Sequence, residues 1–378
     1  MTTREPKQPW IHSAWFDLTF IVGPAFLITG LVVFLPSMFR MAESVPLWAW
    51  VLFVMFIDVG HVYSTLFRTY FDEKEFEQRR VLYLMVPLLC FVSGVILYAV
   101  GALVFWRVLA YLAVFHFVRQ QYGFMMIYAR RDYTTGGKFL WLDKVAIYMA
   151  TLYPLIYWHV TPRTFHWFIE GDFFQISNAF IERIAFVLYL AVLFGYCLKE
   201  LMLASRSHTV NVGKNLLLIG TALSWYIGIV HFNGDMAFTL TNVVTHGIPY
   251  IALVWIYSWR RASKREQETR WSKLGASVLQ PRTIPIFLGV LLILAYCEEA
   301  VWDNFVWREH EALFGRWFGS LVLDETLLWL VPLLALPQMT HYVLDAFIWK
   351  VRQPEPGLKD LLGDYGIREG GYGLRATS

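Results

Sequence analysis

The chain has 378 residues and a formal net charge of +3 at pH 7, and 57% of its residues are hydrophobic while only 16% are charged. A soluble domain averages about 45–50% apolar and about 25% charged residues, so this composition excludes a soluble globular protein and predicts a polytopic membrane protein. Nucleic-acid binding has no support, because membrane topology accounts for where the basic residues lie.

Apolar segments recur along the whole chain, and about 20 such residues suffice for a helix to cross the bilayer. We therefore predict an all-α fold, a polytopic integral membrane helical bundle of about ten transmembrane helices. In chain order, the predicted helices are Trp15–Leu35, Leu47–Tyr70, Val81–Leu103, Trp106–Ala129, Leu140–His159, Ile181–Leu203, Leu216–Val230, Met236–Trp259, Ile284–Ala300 and Leu327–Trp349.

Lysine and arginine concentrate in alternate connecting segments, most strongly in the run Arg260–Lys273. Because cytoplasmic loops carry an excess of these residues, the pattern predicts that both termini are cytoplasmic, which requires an even number of spans. We expect residues 1–350 to form a single transmembrane domain and residues 351–378, rich in glycine and proline, to form a loosely ordered cytoplasmic tail. The expected location is the inner (cytoplasmic) membrane of a bacterium, as a multi-pass protein.

The second predicted helix opens with an apolar run of eleven residues, Leu47–Ile57, and then carries four polar side chains. Asp58, His61, Thr65 and Arg68 follow one another at offsets of three, four and three, which places them on one face. An aspartate near the centre of a membrane helix costs roughly 2.5–3.5 kcal/mol on insertion scales, so this face should meet protein, water or a ligand instead of lipid. Arg68, near the predicted cytoplasmic end, is interpreted as a side chain that extends to the membrane interface.

Four of the ten histidines lie inside predicted spans, on the second, fourth, eighth and tenth helices: His61, His116, His246 and His341. The topology runs all four helices in the same direction, and each histidine lies very roughly 10–14 residues, or about 15–20 Å, from its cytoplasmic end. Four imidazoles at one depth on separate helices can converge on one point. The sequence therefore predicts a metal or cofactor site.

Each of these histidines has polar neighbours on its own helix. They are Asp58 for His61, Arg119 and Gln120 for His116, Asn242 for His246, and Gln338 and Asp345 for His341. A metal-ligating histidine usually donates its second ring N–H to a carboxylate or a carbonyl, so Asp58 and Asp345 are expected to orient the ligands. Arg119 and Gln120 are expected to bind oxygen-derived species or a substrate head group.

Residues that disturb helical hydrogen bonding lie close to two of the histidines. Pro249 and Gly247 follow His246, and Pro332 with Pro337 precede His341. Proline removes a backbone donor and bends or breaks a helix, and broken membrane helices are tolerated where they line a cavity or pack against protein. We expect both helices to be irregular near the site.

Imidazole with carboxylate suits a transition metal such as iron, zinc, copper or manganese, and the scattered cysteines exclude a thiolate site. Iron is the leading expectation, because an iron site with open positions supports oxygen chemistry. The substrate would be a lipid or isoprenoid that enters from the bilayer. The leading hypothesis is therefore an integral-membrane iron oxidoreductase or oxygenase.

The chain lacks the clustered histidine boxes of membrane fatty-acid desaturases and hydroxylases. Its isolated intramembrane histidines resemble, in style, those of the Brp/Blh-type bacterial carotenoid dioxygenases, polytopic proteins thought to bind iron through histidines on several helices. The local sequence similarity is the pair His246–Gly247, whereas the Pro-His-Gly-Ala-x-Asp box of that family is absent. The resemblance implies only the use of scattered histidine ligands.

Three alternatives remain open. The histidines could be axial ligands of b-type haem in a protein that exchanges electrons with a quinone. Asp58, His61, Arg68 and Asp345 could form the proton or ion relay of a transporter, although the absence of internal repeats argues mildly against this. The polar residues could also simply hold together the helices of a structural or assembly subunit.

Overall fold

The computed structural model describes residues 8–35, 45–134, 139–207, 210–264, 269–317 and 324–349. It is 84% helical, and no strand is present in the described ranges. The predicted tail, residues 351–378, lies outside the described residues. The all-α class is confirmed.

Ten long helices follow one another along the described chain. They are α1 (Ala14–Phe34), α2 (Leu47–Arg68), α3 (Arg80–Val100), α4 (Ala102–Arg130), α5 (Trp141–Val160), α6 (Ala179–Arg206), α7 (Val212–His231), α8 (Asp235–Lys264), α9 (Pro281–Trp307) and α10, which is broken into Glu325–Leu334 and Leu336–Ile348. Short helices at Glu73–Gln78, Arg270–Val278 and Glu311–Phe314 lie in the connections.

Eight of the long helices are long and apolar enough to cross a membrane, or nine if the two parts of α10 form one span. Helix α5 has 20 residues but is not among them, and it carries Asp143 and Lys144 in its first turn. The structure therefore indicates a multi-pass helical membrane protein, while the count of ten spans and the cytoplasmic termini stay predictions.

Helix α8 forms the centre of the bundle. In its most apolar window 83% of the residues are buried, against 17% for α6 and 22% for α3, which form the periphery. It packs directly against α2 and α1, and the second part of α10 packs against α3, α4 and α2. The four helices predicted to carry the site are thus in mutual contact through α8 and α10.

A glycine allows α2 and α8 to approach closely at the level of the site. A Cβ atom on Gly247 would lie 2.7 Å from the Cγ2 atom and 2.9 Å from the carbonyl oxygen of Ile57, too close for any other residue without a backbone shift. This contact brings His246, the neighbour of Gly247, against the turn that precedes His61.

Candidate metal centre

The helices that carry the site depart from regular α-helical geometry next to three of the four histidines. Residues Trp50–Val59 of α2 and Leu240–Val244 of α8 form wide π-helical turns, and each stretch ends one or two residues before a site histidine. Helix α10 bends by 42° at Ala335, six residues before His341. Wide turns of this kind occur frequently at functional sites because they redirect a side chain without ending the helix.

His61, His116, His246 and His341, hereafter the histidine quartet, converge through their Nε2 atoms. The Nε2 atom of His246 lies 3.2 Å from those of both His61 and His116, and the Nε2 atoms of His116 and His341 are 3.1 Å apart. The ligand atoms of all four lie within 4.8 Å of one another. The structure therefore brings together all four histidines that the sequence singled out.

The imidazole planes surround a single point. The rings of His61 and His116 face each other nearly parallel, with an interplanar angle of 13° and centroids 6.4 Å apart. The rings of His246 and His341 stand at 70° to 85° to both of them. None of the four residues is more than 4% exposed, so the point they surround is shielded from solvent and from acyl chains.

This geometry fits a metal ion better than four independent histidines. With metal–nitrogen distances of about 2.0–2.1 Å, ligand atoms at angles of about 90–110° lie about 2.9–3.4 Å apart. Three of the Nε2 separations, at 3.1–3.2 Å, fall in this range, and the four ligand atoms together lie within 4.8 Å of one another. Neutral imidazole offers one acceptor nitrogen and one donor nitrogen. If the Nδ1 atoms carry the protons, four Nε2 lone pairs point at one another, an arrangement that a cation at their centre stabilises.

Acceptor groups stand behind the quartet on its Nδ1 side. Asp58 Oδ1 lies 3.5 Å from His61 Nδ1, and Asp345 Oδ2 lies 3.5 Å from His116 Nδ1. A carboxylate in this position favours the tautomer with the proton on Nδ1 and the lone pair of Nε2 directed inward. At these distances neither carboxylate forms a hydrogen bond with the imidazole, and within the described residues the Nδ1 atoms of His61 and His246 have no hydrogen-bond partner. Asp58 and Asp345 therefore both lie beside the quartet, and Asp345 is closer to His116 than to His341, from which it is 3.9 Å away.

Thr65 and Tyr250 complete this outer layer. The hydroxyl of Thr65 lies 2.8 Å from His341 Nδ1 and 3.0 Å from the hydroxyl of Tyr250. Tyr250 in turn donates a hydrogen bond of 2.6 Å to Asp345 Oδ1. The spacing of polar residues predicted that Thr65 lies on the polar face of α2. Tyr250 was not predicted, and its position four residues after His246 was the available signal.

His246 is held differently from the other three. Phe117 stacks on its imidazole at 3.6 Å with an interplanar angle of 6°. The side-chain amide of Gln120 donates a hydrogen bond of 2.9 Å to the backbone carbonyl of His246. Gln120 therefore contacts the site through the backbone and fixes the turn of α8 that carries this histidine.

Arg119 is not brought to the quartet. Its exposed side chain donates a hydrogen bond of 2.6 Å to the hydroxyl of Tyr148 and lies over the ring of Tyr122 at 4.6 Å. These two tyrosines are its contacts in the part of the chain that the structure describes. The expected role of Arg119 in binding oxygen-derived species therefore has no geometric support.

Other predicted placements differ from the structure. The side chain of Arg68, interpreted from the sequence as extending to the membrane interface, is completely buried in the protein and lies 3.3 Å from Glu75. The ninth helix, predicted to end at Ala300, continues to Trp307. Glu298 and Glu299 are buried within it, and the carboxyl of Glu298 accepts a hydrogen bond from Trp302.

No protein family, curated protein or solved structure matches this chain. The likeness to carotenoid dioxygenases therefore rests on the placement of the histidines alone. The fold and the site define the chain as a multi-pass helical membrane protein with a buried group of four histidines that could bind a metal ion.

Proposed function

We propose that the protein is an integral-membrane metalloenzyme, a histidine-ligated iron oxidoreductase or oxygenase that acts on a lipid or isoprenoid within the bilayer. The observation that supports the proposal is the convergence of four buried Nε2 atoms, three adjacent pairs of which are 3.1–3.2 Å apart. Intramembrane ionisable residues are costly, and four meeting at one point favour a ligand-binding role over a purely structural one.

The donor set favours a borderline transition metal. Imidazole suits iron, zinc, copper and nickel, and no cysteine belongs to the group. We favour iron because four imidazole ligands leave positions free on an ion that accepts six, and an open position is what a dioxygen-dependent reaction needs. When bound, the metal would supply electron transfer from the substrate to dioxygen.

The residues of the chain have separate roles in this proposal. The quartet holds the ion, and Asp58, Asp345 and Thr65 hold the protons on the Nδ1 side of the imidazoles. Phe117 and the apolar side chains around the site exclude water, which strengthens every electrostatic interaction there. An apolar substrate is proposed because the site lies inside helices of membrane-spanning length, and a bacterial inner membrane is the proposed location.

The geometry favours a single ion over haem. A bis-histidine haem requires a flat macrocycle between its two axial nitrogen atoms. In the quartet a third and a fourth nitrogen occupy that space, since each member has a neighbouring Nε2 atom within 3.2 Å.

The test is elemental analysis of the protein purified in detergent, together with its optical spectrum. We expect about one iron per chain in the wild type and a loss of iron in the His61→Ala and His341→Ala variants. His231→Ala is the matched control, because His231 is exposed at the end of α7 and is not a member of the quartet. No stoichiometric metal in the wild type, or full occupancy in the two quartet variants, refutes the proposal, and a Soret band would favour haem.

A further inference from the structure

The quartet has no direct access to a soluble redox partner. Its members are at most 4% exposed, so a donor at the protein surface cannot touch the bound ion. When the reaction leaves the metal oxidised, a one-electron donor outside the site must return it to the reduced state. The question is which part of the chain connects the quartet to a surface, and this inference rests on the proposed function.

Tyr250 is the first connecting residue. Its ring centroid lies 5.0 Å from that of His341, 5.7 Å from that of His61, 6.3 Å from that of His116 and 6.5 Å from that of His246. The ring therefore lies beneath the whole quartet, one helical turn further along α8. Tyr250 lies on the side of the quartet that faces the basic end of the bundle, which is the end that carries Arg68, Arg79 and Arg261. The loop charges predict that this end is cytoplasmic.

Two further aromatic rings continue from Tyr250 to the basic end. Trp349 donates a hydrogen bond of 3.4 Å from its indole N–H to the hydroxyl of Tyr250, with ring centroids 6.3 Å apart. The ring of Tyr257 lies 5.5 Å from that of Trp349. The guanidinium of Arg68 lies over both, 4.2 Å from the centroid of Tyr257 and 5.5 Å from that of Trp349.

The series ends at a cavity at the surface. Arg261 donates a hydrogen bond of 2.8 Å to the hydroxyl of Tyr257. The same arginine lines a cavity of about 210 Å³ between the short helices Glu73–Gln78 and Arg270–Val278, whose walls include the exposed side chain of Lys74. A small molecule or the redox group of a partner can therefore come within one side chain of Tyr257.

We propose that Tyr257, Trp349 and Tyr250 form an electron route between this surface cavity and the histidine quartet. Electron tunnelling becomes slower exponentially with distance through saturated groups, and π-systems in near contact shorten each step. One electron passes from a one-electron donor at the cavity, which is oxidised, to the oxidised metal ion in the quartet, which is reduced. The three side chains are unchanged and no proton is transferred.

The experiment measures the reduction of the bound metal directly. Iron-loaded protein in detergent is oxidised and mixed with dithionite as the one-electron donor, and the loss of the ferric signal is followed by freeze-quench electron paramagnetic resonance. In Tyr257→Met and Trp349→Met we expect full iron content and a reduction rate slower by an order of magnitude or more. Trp349→Phe, which keeps an aromatic ring, should restore most of the rate.

Trp259→Met is the matched control, because Trp259 belongs to the same helix as Tyr257 but stacks on Trp255, away from the route. Equal rates in the wild type and in either folded methionine variant overturn the route and leave the proposed function intact. A slow rate in Trp349→Phe or in the control also overturns it, since packing would then be the cause. A wild-type protein without metal overturns both proposals.

Discussion

Helix α2 carries two buried polar clusters about two turns apart, and they are built on opposite principles. One is the histidine quartet, to which α2 contributes His61. The other, here called the arginine–carboxylate network, consists of Arg68 of α2 with Asp72, Glu75, Arg79 and Arg261. In this network Glu75 lies 3.3 Å from Arg68 and 2.8 Å from Arg261, so opposite charges meet directly.

The network stabilises the fold, whereas the quartet has a geometry that could hold a metal ion. In the network each buried arginine has a carboxylate beside it, which compensates for its removal from water. In the quartet four bases turn their Nε2 atoms toward one another, and the nearby carboxylates lie behind them on the Nδ1 side. Removing one member of the network should therefore reduce stability, and removing one member of the quartet should abolish binding.

The largest effect is expected from Glu75→Gln. Arg68 is completely buried and would lose its carboxylate partner, and breaking a buried ion pair from one side costs about 3–5 kcal/mol. Thermal unfolding in detergent measures this as a lower melting temperature. The control is Glu77→Gln, on the same short helix but exposed, where a change within about 0.5 kcal/mol is expected. Equal melting temperatures for the two variants would show that the network is not structural.

The second expectation concerns removal of the metal. A ligand that binds only the folded state stabilises it by about 2.7 kcal/mol at a concentration one hundred times its Kd. Chelator treatment should therefore lower the melting temperature of the wild type and leave that of His341→Ala unchanged. The same chelator effect in His341→Ala would mean that the metal binds elsewhere.

The sequence was sufficient to predict the class of fold and the residues that converge. Hydrophobic segments of spanning length predict the helices, and four histidines at one depth predict their meeting point, because depth along a helix can be counted from its ends. The boundaries were less certain. The ninth helix was predicted to end at Ala300, yet α9 continues to Trp307, and the acidic residues Glu298 and Glu299 near the predicted end are buried.

The sequence could not predict which of the residues beside each histidine on the helix surface faces the partner helix. Relative to His116, position 119 is rotated by about 60° to one side and position 120 by about 40° to the other. The packing of α4 against α8 selects the side of Gln120 and leaves Arg119 facing Tyr148. The position of Tyr250 beneath the quartet depends likewise on how three helices pack, which spacing along α8 alone does not determine.

A smaller effect is expected from the residues behind the quartet. Asp345→Asn keeps an oxygen that can accept the hydrogen bond of Tyr250 but removes the negative charge near His116 and His341. Loss of such a partner typically lowers metal affinity 10–100-fold. Competition with a metal-binding dye measures this affinity. Asp235→Asn, at the start of α8, is the control, and an equal loss of affinity in both variants would contradict the role of Asp345.

The smallest expected effect is the pH dependence of the stability that Glu75 contributes to the arginine–carboxylate network. Burial raises the pKa of Glu75, but the guanidinium groups of Arg68 and Arg261 outweigh it and hold this pKa below its ordinary value of 4.5. A carboxyl whose pKa is lowered by folding binds fewer protons in the folded state, so its stabilising contribution is complete above the unfolded pKa and is lost as the pH falls through the folded one. The difference in melting temperature between the wild type and Glu75→Gln should therefore be constant near neutral pH and shrink below about pH 4.5. Melting curves across this range measure it. A melting-temperature difference that stays constant at acidic pH would show that Glu75 acts through packing and hydrogen bonding alone. The contrast between a charge-compensated network and a ligand-binding quartet would then lose its electrostatic basis.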